Sequence, residues 1–191
     1  MNFTETELRG AFVIDTEPIG DERGSFVRTF CRSDFEARGL NPLVSQANVS
    51  MTRRRGAMRG LHFQFPPHAE TKLVRCTRGA MFDVIVDLRP ESPTYLAHVA
   101  IEVTAANRRA VYVPERFAHG FQVLDDGTET TYLMGAPYRP ESAGGLRYSD
   151  PRLAIAWPLP ATDLSTRDRE WALLQDAEPY LRARMALPAP T

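Results

Sequence analysis

The sequence predicts an all-β fold, and three features of its patterning carry that expectation. Short apolar or alternating runs recur along most of the chain. Turn-forming residues separate them at regular intervals. Helical signals are confined to two brief stretches. Many strands at short spacing, each bounded by turn chemistry, are the pattern of a β-sandwich or barrel.

The runs fall at residues 11–15, 25–30, 44–51, 73–77, 81–88, 97–103, 110–113, 121–124 and 128–134. Asp21-Glu22-Arg23-Gly24, Arg78-Gly79, Ala106-Asn107 and Asp125-Asp126-Gly127 supply the turns. Within 81–88, alternation predicts one face in the core and the other lining a polar cavity. Two helix starts are expected. Ser33-Asp34-Phe35-Glu36 fits a capping box, with Ser33 as the N-cap and Glu36 reaching back. Ser165 is a second N-cap, opening a helix over 167–174. One domain over 1–191 is expected, with its core at about 10–175 and a C-terminal tail from 176 that frays at Pro188 and Pro190.

Composition narrows the function classes. The 191 residues suffice for one domain with a core, and the 43% hydrophobic and 25% charged fractions are those of an ordinary globular protein. A net charge of −1, from 23 basic and 24 acidic residues, argues against nucleic-acid or membrane-surface binding. The short run Arg53-Arg54-Arg55 reads as a solvated turn. Two cysteines, Cys31 and Cys76, make no disulfide framework and no zinc spacing. Residues 1–10 lack the basic and apolar character of a signal, and no run approaches the roughly 20 apolar residues of a membrane span. A cytoplasmic protein is expected.

Four histidines are available for chemistry: His62, His68, His98 and His119. His62, in Arg59-Gly60-Leu61-His62-Phe63-Gln64, and His119, in Phe117-Ala118-His119-Gly120-Phe121, stand among apolar residues and glycines, as if at strand ends. Singly, each reads as a satisfied core histidine. Lys72 opens an apolar strand, where a lysine is ordinarily a surface residue with a buried stem. Gln46 and Asn48 share one face of a strand.

These landmarks, taken in order, resemble the dTDP-4-dehydrorhamnose 3,5-epimerase family. They begin with Asp21-x-Arg23-Gly24, Gln46-x-Asn48 and the segment around His62. Lys72-Leu73-Val74-Arg75, Phe82-Asp83-Val84, Asp87-Leu88-Arg89 and Ser92-Pro93-Thr94 follow, then the segment Pro114-Glu115-x-Phe117 to Phe121. Tyr132, Tyr138-x-Pro140, Asp150-Pro151, Trp157-Pro158 and Leu164-Ser165-x-Arg167-Asp168 complete the series, which spans about 10–170.

The resemblance implies a cupin-type jelly-roll barrel and an isomerase of deoxysugar biosynthesis acting without a cofactor or metal. It implies His62 as the base, Asp168 as the carboxylate orienting it, Tyr132 as the acid and Lys72 beside the substrate carbonyl. It places Arg23, Phe26, Arg28, Gln46, Asn48, Arg59, His119, Tyr138 and Arg167 around a nucleotide-sugar. It also implies a homodimer whose first strands reach the partner's site. The residue types suit the reaction. A C4 ketone acidifies the protons on C3 and C5, a neutral histidine can remove one, a phenol can return one, and a fixed cation stabilises the enolate.

Three positions depart from the family pattern. Arg28 and Ala143 stand where many members carry acidic residues, and Arg167 replaces a lysine. An arginine cannot accept a hydrogen bond from a base N–H, so dTDP is the favoured carrier and CDP and GDP are alternatives. Epimerisation at C3 alone is a further alternative. So are a metal-dependent cupin built on His62, His68, Glu70 and His119, a non-catalytic nucleotide-sugar-binding cupin, and a 3,4-ketoisomerase. The first lacks a His-x-His element, because residue 64 is Gln.

Overall fold

The computed structural model describes residues 1–187, so the expected fraying at Pro188 and Pro190 lies outside the described residues. In chain order the strands are β1 (Asn2–Glu5), β2 (Phe12–Asp15), β3 (Ile19–Asp21), β4 (Gly24–Phe26), β5 (Gln46–Thr52), β6 (Met58–Gln64) and β7 (Lys72–Arg78). They continue with β8 (Ala80–Asp87), β9 (His98–Thr104), β10 (Ala110–Val113), β11 (Phe117–Val123), β12 (Thr128–Met134) and β13 (Ala143–Gly145). The helices are α1 (Arg32–Glu36), α2 (Thr166–Glu170) and α3 (Leu174–Met185).

A six-stranded sheet runs β1-β2-β10-β7-β12-β5, and a five-stranded sheet runs β13-β6-β11-β8-β9. Strands β3 and β4 form a separate hairpin. The pairings are antiparallel throughout both sheets. This is the jelly-roll expected from the sequence.

Residues from both sheets meet in one apolar cluster that includes Val74, Cys76, Met81, Ile85, Val111, Val113, Phe121 and Val123. Each such side chain, fully buried, contributes about 1.5–3 kcal/mol. The outer faces are covered too. Over the five-stranded sheet, Leu61, Phe63, Val84, Val86 and Leu88 pack against Leu174, Leu181 and Met185 of α3. Over the six-stranded sheet, Ile14, Leu73, Ala110 and Tyr112 pack against Phe35 of α1 and Leu40.

Several expectations are corrected. Strand β8 does alternate, but its outward face is the apolar one, since Val84 and Val86 lie under α3. Its inward face mixes Met81 and Ile85 with the buried Asp83. The run at 25–30 contributes only the end of β4. Ser33 is not an N-cap. It lies inside α1, which starts after Cys31, and its hydroxyl meets Cys31 Sγ at 3.2 Å. Ser165 does cap α2, accepting from the Asp168 N–H at 3.0 Å, but that helix ends at Glu170. The tail expected from 176 is instead most of α3. Its polar sequence hid a sparse apolar set, Leu174, Leu181 and Met185, that the sheet beneath makes worth burying. Arg116 fastens its end by donating to the Met185 carbonyl at 2.7 Å.

Asp87 organises the corner after β8. Its fully buried carboxylate accepts from the Arg89 guanidinium at 2.7 Å, the Ser92 hydroxyl at 2.6 Å and the Thr94 hydroxyl at 2.8 Å. Burial alone raises its pKa, but Arg89, Ser92 and Thr94 outweigh burial and hold it below the ordinary 3.8. A carboxyl with a depressed folded-state pKa adds stability that is present above its unfolded value and disappears as pH falls through the folded value. Asp87→Asn is therefore expected to destabilise the fold by about 3 kcal/mol at pH 7. Urea melts should show that gap narrowing below pH 4; a gap independent of pH would contradict this account.

Candidate active site

A cavity of about 420 Å³ opens between the two sheets. Strands β6 and β11 supply one wall. His62 and His119 are directly opposed across this antiparallel pair, so both rings leave the sheet on the same face. The expectation that they sit at strand ends is thus corrected: both lie in mid-strand. The register shifts between His119 and Phe121, next to Gly120. There the chains approach closely. A Cβ on Gly60 would stand 2.5 Å from Gly120 Cα, and Gly60 has a φ of +120°.

Each histidine is held by a buried carboxylate. His62 Nε2 lies 2.5 Å from Asp168 Oδ1, and His119 Nε2 lies 2.7 Å from Asp83 Oδ2. The Asp168 pKa is raised by burial. The His62 hydrogen bond and charge, with help from the Ser165 hydroxyl and the Gly60 N–H, overcome that and lower it. Asp168 is therefore ionised near neutral pH and accepts the proton on His62 Nε2. The lone pair of His62 is left on Nδ1. The His62 ring is 45% exposed, whereas the Asp168 side chain is 5% exposed. The imidazole faces the cavity and the carboxylate is shielded behind it.

The opposite wall comes from the six-stranded sheet. Tyr132 on β12 packs edge-on against His119, with ring centroids 6.3 Å apart. Burial, first, and the charge of Asp83 push its phenol pKa up, with Arg59 opposing them. Tyr132 is accordingly a protonated phenol at neutral pH. Lys72 opens β7 with its ammonium 3.1 Å from Glu70 and 3.0 Å from the His62 carbonyl oxygen. Unlike an ordinary strand-opening lysine, this side chain is only 7% exposed.

Asn48, Arg59, Tyr138 and Arg167 also line the cavity. Arg59 donates to the Thr52 hydroxyl at 2.9 Å. Arg167 stacks over Trp171 at 5.0 Å. Gln46 lies outside the lining, but its side-chain oxygen accepts from the Tyr138 N–H at 2.9 Å and so ties down the segment beside the mouth. The structure does not bring Arg23, Phe26 and Arg28 to this cavity. Arg23 pairs with Asp21 on the exposed β3–β4 hairpin, and Phe26 and Arg28 line a smaller cleft of about 230 Å³ with Met1, Glu17, Ile19 and Asp34.

Two residues of the cavity region have no part in the acid–base set that the resemblance implies. Asp83 had a signal: an acid in an apolar strand must find a partner when buried. Glu70 had a weaker one, its spacing of two from Lys72. Among the described residues, no group of three His, Cys, Asp or Glu side chains is placed to hold a metal ion. His62, His68, Glu70 and His119 do not converge as the metal reading required.

Comparison with known proteins gives a consistent result. The family model described as dTDP-4-dehydrorhamnose 3,5-epimerase matches residues 5–176. A dTDP-4-dehydrorhamnose 3,5-epimerase of Methanothermobacter thermautotrophicus is 42% identical over 182 residues, covering 94% of this chain and 97% of that protein. A dTDP-4-dehydrorhamnose 3-epimerase of Streptomyces niveus is 40% identical over 171 residues, covering 89% and 82%. The crystal structure of a Legionella pneumophila 3,5-epimerase in complex with dTDP-4-keto-L-rhamnose superposes with a TM-score of 0.88. It is 36% identical and covers 94% of this chain and 96% of that one.

Gly60→Ala tests the strand contact that sets the two rings side by side. Steric overlap and backbone strain together are expected to cost roughly 3 kcal/mol. A urea midpoint equal to that of the wild type would show that β6 and β11 do not need this close approach.

Proposed function

Because the chain belongs to the dTDP-4-dehydrorhamnose 3,5-epimerase family, we propose that it epimerises a nucleotide-linked 4-keto-6-deoxyhexose at C3 and C5, with dTDP-4-dehydro-6-deoxy-D-glucose as the favoured substrate. The observation that carries this reading is the placement of a carboxylate-paired histidine and a half-buried phenol around one cavity, with a lysine ammonium beside them. The ligand of the similar Legionella enzyme, dTDP-4-keto-L-rhamnose, is of the same class.

In this scheme His62 Nδ1 removes the proton next to the C4 ketone. Asp168 holds the other ring nitrogen and stabilises the imidazolium that forms. Negative charge moves to the C4 oxygen, where the Lys72 ammonium stabilises the enolate. A fixed donor of this kind contributes about 10²–10³ in rate. Tyr132 delivers a proton to the other face of the carbon. The elevated phenol pKa keeps that proton in place before reaction. His62 then loses its proton to solvent and Tyr132 regains one from solvent, and repetition at the second carbon completes the double epimerisation. Arg59 is suited to the diphosphate through charge-assisted hydrogen bonds. Asn48, Gln46, Tyr138, His119 and Arg167 complete the proposed nucleotide-sugar site.

Epimerisation at C3 alone is a second reading, supported by the Streptomyces niveus 3-epimerase at 40% identity. Proton NMR of the dTDP-4-keto-6-deoxy sugar in D₂O separates the two. Deuterium is expected at both C3 and C5, whereas deuterium at C3 alone would establish the second reading. His62→Ala and Tyr132→Phe are each expected to lower turnover at least about 10²-fold. Undiminished turnover in either variant would remove that residue from the scheme.

The proposal includes a homodimer in which β3 and β4 serve the partner's site. Ile19 and Phe26 on this hairpin are 73% and 68% exposed, and Val49 on the β5 edge is 65% exposed. Exposed apolar groups on an unpaired strand edge favour association. Arg23, remote from its own cavity, would then reach the neighbouring one. Coexpression of Arg23→Ala with His62→Ala tests this. One intact site per heterodimer should restore roughly a quarter of wild-type activity. Recovery of none would place Arg23 outside the partner's site.

A further inference from the structure

The proton-transfer scheme assigns no task to Glu70, although this carboxylate lines the cavity. Glu70 lies near the end of the connection between β6 and β7, two residues before Lys72. Side chains two apart on an extended chain face the same way, and both of these turn inward. The Glu70 side chain is only 4% exposed, with Oε1 3.1 Å from the Lys72 ammonium. Its other oxygen, Oε2, is buried and has no hydrogen-bond partner.

An ammonium carries three N–H donors and no acceptor. In Lys72 the ammonium is held first by its ion pair with Glu70 and second by a hydrogen bond donated to the His62 carbonyl oxygen. The second anchor belongs to the same residue that bears the proposed base. Donor capacity is left over, on a side chain that lines the cavity. The flexible four-carbon stem of a lysine would otherwise let its charge wander. A buried ion pair with an unsatisfied oxygen is also a poor way to fill space, since an apolar pair would do so at lower desolvation cost. Stability alone therefore does not account for the arrangement.

We propose that Glu70 is a positioning residue: with the His62 carbonyl it fixes the Lys72 ammonium in one place, leaving one N–H for the oxygen on C4 of the substrate. This inference rests on the enolate-stabilising role proposed above for Lys72. Positioning of this kind affects the reaction after binding. Loss of the anchor should therefore lower kcat more than it raises KM.

A mutant cycle tests it, with circular-dichroism melts to confirm folding. Glu70→Ala is expected to lower kcat about tenfold while changing KM less than about threefold. Glu70→Gln, whose amide oxygen can take the place of the carboxylate oxygen beside the ammonium, should keep at least about half of the wild-type kcat. In a Lys72→Gln background, Glu70→Ala should change kcat less than about twofold, because the group it positions is gone. Full kcat in Lys72→Gln would remove Lys72 from the scheme and this inference with it. An impaired Lys72→Gln in which Glu70→Ala has its full effect again would overturn only the positioning role. Should Lys72→Gln fail to fold, the Glu70 pair decides the matter alone: equal losses in Glu70→Ala and Glu70→Gln would overturn the inference.

Discussion

His62 and His119 face one another across two antiparallel strands because Gly60 and Gly120 let those strands come together. Two imidazoles on one face of a sheet, inside a barrel, each need a partner for a ring nitrogen. The five-stranded sheet supplies Asp83 from β8, and α2 supplies Asp168 from beyond the barrel. The Ser165 cap sets where α2 begins and so where Asp168 points. The pairing of β6 with β11 thus decides which far-apart residues must be brought together.

The interior of the barrel is divided rather than uniform. One part is filled by Val74, Met81, Ile85, Val111, Phe121 and their neighbours. The other holds Asp83, His119, Tyr132, Lys72 and Glu70 around open space. The apolar part rigidifies both walls, and a rigid wall is what keeps charged groups at fixed separations without reorganisation. Burial has a second effect. It weakens solvent screening, so a charge such as that of Lys72 acts more strongly on a neighbouring group than it would in water. The same burial pushes the Tyr132 phenol toward its protonated form. Packing and acid–base character are therefore one property of this enzyme rather than two.

Much of the strand pattern was legible because strands write their period locally. Runs such as 128–134 and 110–113 match observed strands to the residue. The misses have physical causes. Strands β1 and β13 are short and gain their order from partners distant in sequence, β2 and β6. Ser33 satisfied a local capping pattern, but the chain entered its helix two residues earlier, where Phe35 packs on Tyr112. The C-terminal helix α3 has few apolar residues, and only the sheet beneath it shows what they bury against.

The site divides along the same line. By itself the sequence determined which residue types were available and in what order. It placed a histidine in an apolar run, a lysine at the start of a strand, and a serine three residues ahead of an aspartate. The resemblance of these motifs pointed to the chemistry. The resemblance also implied the pairing of His62 with Asp168, a contact that tertiary structure makes across 106 residues, and tertiary structure alone decided that Asp83 serves His119. It alone buried Lys72 against Glu70 and left the hairpin bearing Arg23 away from its own cavity. The reason is that side-chain period is a local property of the backbone, whereas a catalytic distance is fixed by strand register and sheet packing between segments that are remote in sequence.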